Sequence, residues 1–229
     1  MNVTREIPDL PTLARLFYPV IAAEPSSELG RFTRTTAEEL PAGFRELLAH
    51  DGHMTVTMER FHRSTVDVEV LDRTTDPDGR HYSRKILLRT QKPHDSTSGG
   101  RGRVVQFGIV RLNLDHLAPD VRAEVLGEGT PLGRVLINHG VLMKVRLIAL
   151  WRIEPGPDLC RALELDRPTT IYGRTAMIDF ENDPAIELLE ISAPVGENQK
   201  SKVRNDAAVQ NDFTSDFRFL TSDFSFLTL

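Results

Sequence analysis

Two charged residues stand where strand alternation calls for apolar ones. In residues 81–90 the side chains Tyr82, Arg84, Ile86 and Leu88 share one face of a predicted strand, and in residues 185–193 Ile186, Leu188 and Glu190 do the same. A charge buried among apolar neighbours is costly unless it is partnered. Arg84 and Glu190 are therefore either a structural ion pair or the charged groups of a site. A guanidinium offers a planar fork that matches a carboxylate, and a glutamate in apolar surroundings can donate a proton to a leaving oxygen.

A third stretch could contribute backbone. Gly127-Glu128-Gly129-Thr130-Pro131-Leu132-Gly133-Arg134 reads as a turn that feeds a helix, with Thr130 as N-cap, Pro131 in the first helical position and Gly133 leaving the first turn open to close approach. It is either a plain helix start or one wall of an anion site.

Other chemistries lack their residues. The seven histidines (His50, His53, His62, His81, His94, His116, His139) show no HxxxH or HxH spacing, so no metal set is expected. There is no GxSxG elbow and no Walker loop, and Gly99-Gly100-Arg101-Gly102 lacks the lysine a phosphate loop needs. Cys160 is the single cysteine, which excludes an internal disulfide and reads as a structural thiol.

The elements that must position these residues follow from length and pattern. The 229 residues suffice for one domain with an appendage, and 40% hydrophobic and 27% charged residues describe an ordinary globular chain. A net charge of −5 with dispersed basic residues argues against a nucleic-acid partner. The longest apolar stretch, residues 141–151, is broken by Lys144 and Arg146 and is too short to span a bilayer. Arg5, Glu6 and Asp9 precede any apolar run, unlike a signal peptide, and a cytoplasmic location is expected.

Leu10, Leu13, Leu16, Phe17 and Val20 recur at helical spacing, and a second helix is expected over 36–50. Period-two alternation predicts strands over 54–61, 65–71, 81–90, 104–113, 141–151, 170–180 and 185–193, with short helices at 119–126, after 131 and at 159–163. Asp76-Pro77-Asp78-Gly79 and Glu181-Asn182-Asp183-Pro184 have the residues of tight turns, and 92–102 reads as a long loop. On strand 104–113, Val105, Phe107, Ile109 and Arg111 share one face, and Gln106, Gly108, Val110 and Leu112 the other. After Pro194 the chain turns polar and ends in a near-perfect seven-residue repeat, Ser215-Asp216-Phe217-Arg218-Phe219-Leu220-Thr221 followed by Ser222-Asp223-Phe224-Ser225-Phe226-Leu227-Thr228. The expected division is an N-terminal helical extension over 1–29, a main domain over 30–195, and a polar linker with a repeated aromatic tail over 196–229.

Val56-Thr57-Met58, Ser83-Arg84-Lys85-Ile86-Leu87-Leu88, Gly129-Thr130-Pro131-Leu132-Gly133-Arg134, Gly173-Arg174, and Leu189-Glu190 with Pro194 four residues on together resemble successive landmarks of the chorismate pyruvate-lyase family. The resemblance runs from about Gly30 to Pro194. It implies an α+β fold, a single six-stranded antiparallel sheet with helices packed over it, enclosing a pocket. It also implies cofactor-free and metal-free cleavage of chorismate, a small-molecule substrate, to 4-hydroxybenzoate and pyruvate. On that pattern Arg84 holds a substrate carboxylate, Glu190 faces the ether or phenol oxygen, the backbone of Leu132 and Gly133 helps hold the ligand, and Met58 lines the pocket. The family's second pocket arginine falls on Ile109. Arg111, about 7 Å further along the same strand face, would replace it, or the substrate would carry one fewer carboxylate. The effector-sensing domains of GntR-type regulators are similar to this fold, so a small-acid-binding module is the alternative, as is a lyase acting on another ring acid. A free-standing sensor would need a partner chain, since the stretch before Gly30 is too short for a winged helix-turn-helix.

Overall fold

The computed structural model describes residues 9–18, 28–91, 102–181 and 183–195, all within the unit Met1–Val195. The expected loop after Gln91 and the repeated tail lie outside the described residues, apart from Gly102. The chain is α+β, built on one antiparallel sheet of seven strands rather than six. In chain order the elements are α1 (Leu10–Arg15), β1 (Gly30–Thr35), α2 (Ala42–Leu48), α3 (Met54–His62), β2 (Val66–Thr75), β3 (His81–Thr90), β4 (Val104–Asn113), α4 (Pro119–Leu126), α5 (Leu132–Asn138), β5 (Met143–Pro155), α6 (Pro157–Ala162), β6 (Ile171–Phe180) and β7 (Asp183–Ser192). The strand order is β1-β5-β6-β7-β4-β3-β2. This order sets β7 against β4, so Glu190 and Arg84 reach the centre of the sheet from β7 and from β3, on either side of β4.

Two local readings are corrected. Residues 54–61 form helix α3, not a strand. Met54, Met58 and Phe61 fall at helical spacing and pack in one core cluster, and Thr57 Oγ1 donates to the His53 carbonyl one turn back. In a run this short the same side chains satisfy both periods, and the β-branched Thr and Val residues favoured the wrong one. The seventh strand, β1, carries little sequence signal, because Phe32 is its one large apolar residue and an edge strand with a single pairing partner, β5, has little alternation to show. The helix expected over 36–50 is confined to α2, because Thr35 Oγ1 and the Thr36 amide both donate to Glu39 Oε2 in a turn that precedes Pro41.

Both faces of the sheet are covered. On one, α1 and α6 close over Leu87, Phe107, Ile109, Leu189 and Ile191, with Leu13 fully buried in the same cluster. Burial of a large apolar side chain such as Leu13 contributes about 1.5–3 kcal/mol, so α1 adds to the stability of this face. On the other face α4 and α5 form one cluster with Val110, Leu112, Ile178 and Leu188, while α2 and α3 form a second with Ile86, Leu88 and Val105. The seam between those two clusters is where the polar residues are.

Candidate functional site

A cavity of about 50 Å³ opens along that seam. A single water needs ~10–15 Å³ on this scale, so the space is that of a few waters. The sheet side is apolar, lined by Ile86, Leu88, Gly108, Val110 and Leu188, and Gly52, His53, Met54 and Thr55 line the cavity together with Pro131, Leu132 and Gly133. Into this lining the sheet inserts four polar side chains, Arg84, Gln106, Arg174 and Glu190. Register explains the convergence. Ile86 pairs with Gly108, Gly108 with Glu190, and Glu190 with Arg174, one continuous rung across β3, β4, β7 and β6. Directly paired residues of antiparallel strands share a face, so the whole rung looks into the cavity.

Glu190 is ion-paired, but with Arg174 instead of Arg84. Arg174 Nε donates to Glu190 Oε2 at 2.7 Å, Nη1 to the His50 carbonyl at 2.7 Å and Nη2 to the Gly52 carbonyl at 3.2 Å. The side chain is fully buried and ties the sheet to the connector between α2 and α3. His50 is oriented by the same knot: the Gly52 amide donates to its Nδ1 at 3.0 Å, and its Nε2 faces the Leu47 carbonyl at 2.8 Å. Burial, with the nearby Arg174 charge, holds the His50 pKa below its ordinary value, and burial does the same to His53 on the cavity wall. Both imidazoles are therefore neutral at pH 7.

Arg84 is the opposite case. It is 1% exposed, and its Nε and Nη1 have no hydrogen-bond partner among the described residues. Burial pushes its pKa down, partly offset by the nearby Tyr82 and Glu128. Glu128 itself is bound to Arg73 Nη1 at 2.6 Å and accepts from the Tyr82 hydroxyl. Two guanidiniums and one carboxylate, with neutral imidazoles, leave the cavity one uncompensated positive charge. Chemically such an arrangement can accept one anionic group, since a guanidinium fork in a low-dielectric wall matches a carboxylate.

Of the residues singled out from the sequence, Arg84, Glu190, Leu132 and Gly133 meet at the cavity. Met58 is fully buried in the α2–α3 cluster but is not among the lining residues, where Met54 stands instead. Ile109 and Arg111 are not brought there. Val110, opposite Arg84, faces the cavity, so the odd-numbered neighbours on β4 face away. Ile109 packs in the α1–α6 cluster, and Arg111 is bound to Glu187 Oε1 at 3.0 Å and Asp76 Oδ2 at 3.1 Å. The second arginine of the cavity is Arg174, from a different strand. Its place was legible in the alternation Arg174, Ala176, Ile178, Phe180, as that of Gln106 was in the face it shares with Gly108 and Val110.

The turn at 127–134 also shifts by one residue. Pro131 occupies the N-cap position and α5 begins at Leu132, with no side-chain cap from Thr130. Gly133 is required by contact. A Cβ there would lie 2.8 Å from Thr55 Oγ1 and 3.2 Å from Thr55 Cβ, where α5 crosses α3. Gly133→Ala is expected to destabilise the fold by about 1–3 kcal/mol despite its better helix propensity, and Thr55→Ala in the same chain to restore much of the loss. Urea denaturation of the single and double variants measures both.

No protein-family model matches the chain, and no curated protein matches it. Solved structures align with part of it. PhnF from Mycobacterium smegmatis is similar at 12% identity, with 63% of this chain and 64% of that one covered and a TM-score of 0.45. The ligand-binding domain of a protein described as a GntR-family transcriptional regulator from Bordetella bronchiseptica is similar at 14% identity, covering 56% and 85% with a TM-score of 0.40. The C-terminal domain of the histidine utilization repressor from Pseudomonas syringae pv. tomato is similar at 12%, covering 56% and 91% with a TM-score of 0.36. The chain thus spans less than two thirds of the length of PhnF. At such identities the likeness concerns chain architecture alone. No helix among the described residues is long and apolar enough to cross a membrane.

Proposed function

We propose that residues 30–195 form a binding domain for a small carboxylic acid carrying a single negative charge, working as a cytoplasmic sensor-type module. The observation that carries this reading is Arg84, a guanidinium sealed in an apolar cavity with two N–H-bearing nitrogens unpartnered among the described residues. Buried polar groups in native proteins are paired, and one left open inside a cavity is a place for a ligand group. A carboxylate there would neutralise the charge and accept two parallel hydrogen bonds.

The second reading is a lyase that expels enolpyruvate from chorismate, and it draws on Arg84, Glu190, Leu132 and Gly133 lining one cavity. Aromatisation makes that reaction downhill, so positioning and charge stabilisation would suffice. Two features weigh against it. Chorismate carries two carboxylates and the cavity has one open guanidinium among the described residues, and Glu190 Oε2 is already engaged by Arg174. Calorimetric titration with small monoacids, run beside an assay of chorismate conversion to 4-hydroxybenzoate and pyruvate, separates the two. Saturable monoacid binding without turnover is expected. Turnover above the uncatalysed rate would overturn the sensor reading in favour of the lyase.

A further inference from the structure

His50 is held in a single protonation state by its neighbours. The Gly52 amide can only donate, so the Nδ1 that it meets at 3.0 Å must carry a lone pair. The Leu47 carbonyl can only accept, so the Nε2 at 2.8 Å must carry the proton. Arg174 Nη1, another pure donor, lies 3.4 Å from the same Nδ1. A second proton on the ring would set an N–H against the Gly52 N–H and against a guanidinium. The loss would not stop at the imidazole. Arg174 Nη1 and Nη2 bind the carbonyls of His50 and Gly52, so ring, guanidinium and connector form one closed circuit. That connector is also cavity wall, because Gly52 and His53 line the cavity together with Arg174 and Glu190. A side chain on Gly52 would crowd the contact, its Cβ 3.3 Å from His50 Nδ1.

We propose that His50 is an acid-sensitive latch on the cavity: neutral, it pins the Gly52–His53 wall to the sheet through Arg174, and protonation at Nδ1 releases that wall. The charged groups that face the imidazole are Arg174 from β6, Glu190 from β7 and Arg60 from α3, with Asp51 and His53 beside it in the connector. Glu190 is engaged by Arg174, and Asp51 accepts from the Leu147 amide of β5, so neither carboxylate is bonded to the ring. Burial, with the Arg174 charge, holds the folded-state pKa of His50 below its ordinary value. The closed wall therefore resists a proton that an opened wall takes up. Its stability is complete above the ordinary histidine range and is lost as pH falls from there toward the folded value. Burial shifts His53 in the same direction, which makes it the rival for the effect. The latch acts on the cavity itself and does not depend on which ligand fills it.

The test is amide hydrogen exchange of the full, ligand-free chain by NMR at about pH 7.5 and about pH 5, expressed as protection factors so that the intrinsic pH dependence of exchange drops out. Protection of the Gly52 amide is expected to fall about tenfold or more at the lower pH, while that of Phe107 in the sheet core holds. In His50→Asn, whose Oδ1 keeps an acceptor for the Gly52 amide without titrating, the fall should vanish, and in His53→Asn it should persist. Equal protection at the two pH values overturns the latch. So does a fall that survives His50→Asn, is abolished by His53→Asn, or is shared by Phe107, the last being global unfolding. If His50→Asn fails to fold, the ring-nitrogen NMR shifts of His50 in the unmodified protein decide. A bare Nδ1 and a protonated Nε2 at neutral pH, titrating together with the Gly52 amide, support the latch, and a ring protonated at Nδ1 at neutral pH overturns it.

Discussion

Arg84→Met is expected to make the ligand-free protein more stable and unable to bind its acid. Arg84 is buried with Nε and Nη1 unpartnered among the described residues, and the nearby Glu128 is already taken by Arg73 and Tyr82. Replacing a buried charge that lacks a close partner by an apolar side chain of similar length removes a desolvation cost and leaves nothing orphaned in return. The gain should be about 1–3 kcal/mol, roughly 2–10 °C in thermal midpoint for a chain of this size. Differential scanning calorimetry of the two proteins measures it, and titration with a small carboxylic acid measures the loss of binding. An Arg84 that served the fold would give the reverse, a fall in midpoint with binding lost only through unfolding. A gain in stability coupled to loss of affinity is the signature of a residue kept for its ligand.

The charge logic of the site is legible in the sequence, and its wiring is not. Alternation alone put Arg84 and Glu190 on apolar strand faces, because a period of two in β3 and β7 is strict and both faces are buried. Which arginine pairs with Glu190 depends on strand order, and strand order is a long-range property that the local pattern does not contain. The β6–β7 hairpin sets Arg174 opposite Glu190, whereas Arg84 sits two strands away beyond β4. The same reasoning explains Ile109 and Arg111. They were matched by position along the chain, but the register of β3 on β4 assigns the even-numbered side to the cavity, and a one-residue difference moves a side chain through the sheet. Residues 54–61 depart from expectation for a different reason: eight residues hold too few apolar positions to separate a period of two from one of 3.6, and a helix packed by Met54, Met58 and Phe61 satisfies both. The open amide of Gln106 had no sequence signal beyond its face. Only the absence of a partner among the described residues marks it.

The Arg174–Glu190 pair carries the other large effect, and it separates structure from chemistry at the cavity wall. Glu190→Leu is expected to destabilise the protein by about 3 kcal/mol, the lower end of the range for breaking a buried pair, since Arg174 would keep its bonds to the His50 and Gly52 carbonyls. Arg174→Met should be comparably costly, because it strands Glu190 and also frees the two carbonyls that anchor the α2–α3 connector, the flank on which Gly52 and His53 line the cavity. Arg174→Met combined with Glu190→Leu should recover much of the loss, because no buried charge is then left alone. Urea titrations of the four proteins give the coupling energy directly. Glu190→Gln refines the result. It keeps an oxygen that can accept from Arg174 Nε and removes only the charge, so a binding domain should retain acid affinity within a fewfold, whereas a lyase using Glu190 as its proton donor should lose turnover of chorismate by about 10²–10⁴. A Glu190→Leu protein as stable as the parent would show that the pair is not holding the wall, and would return Glu190 to the reacting groups of an enzyme.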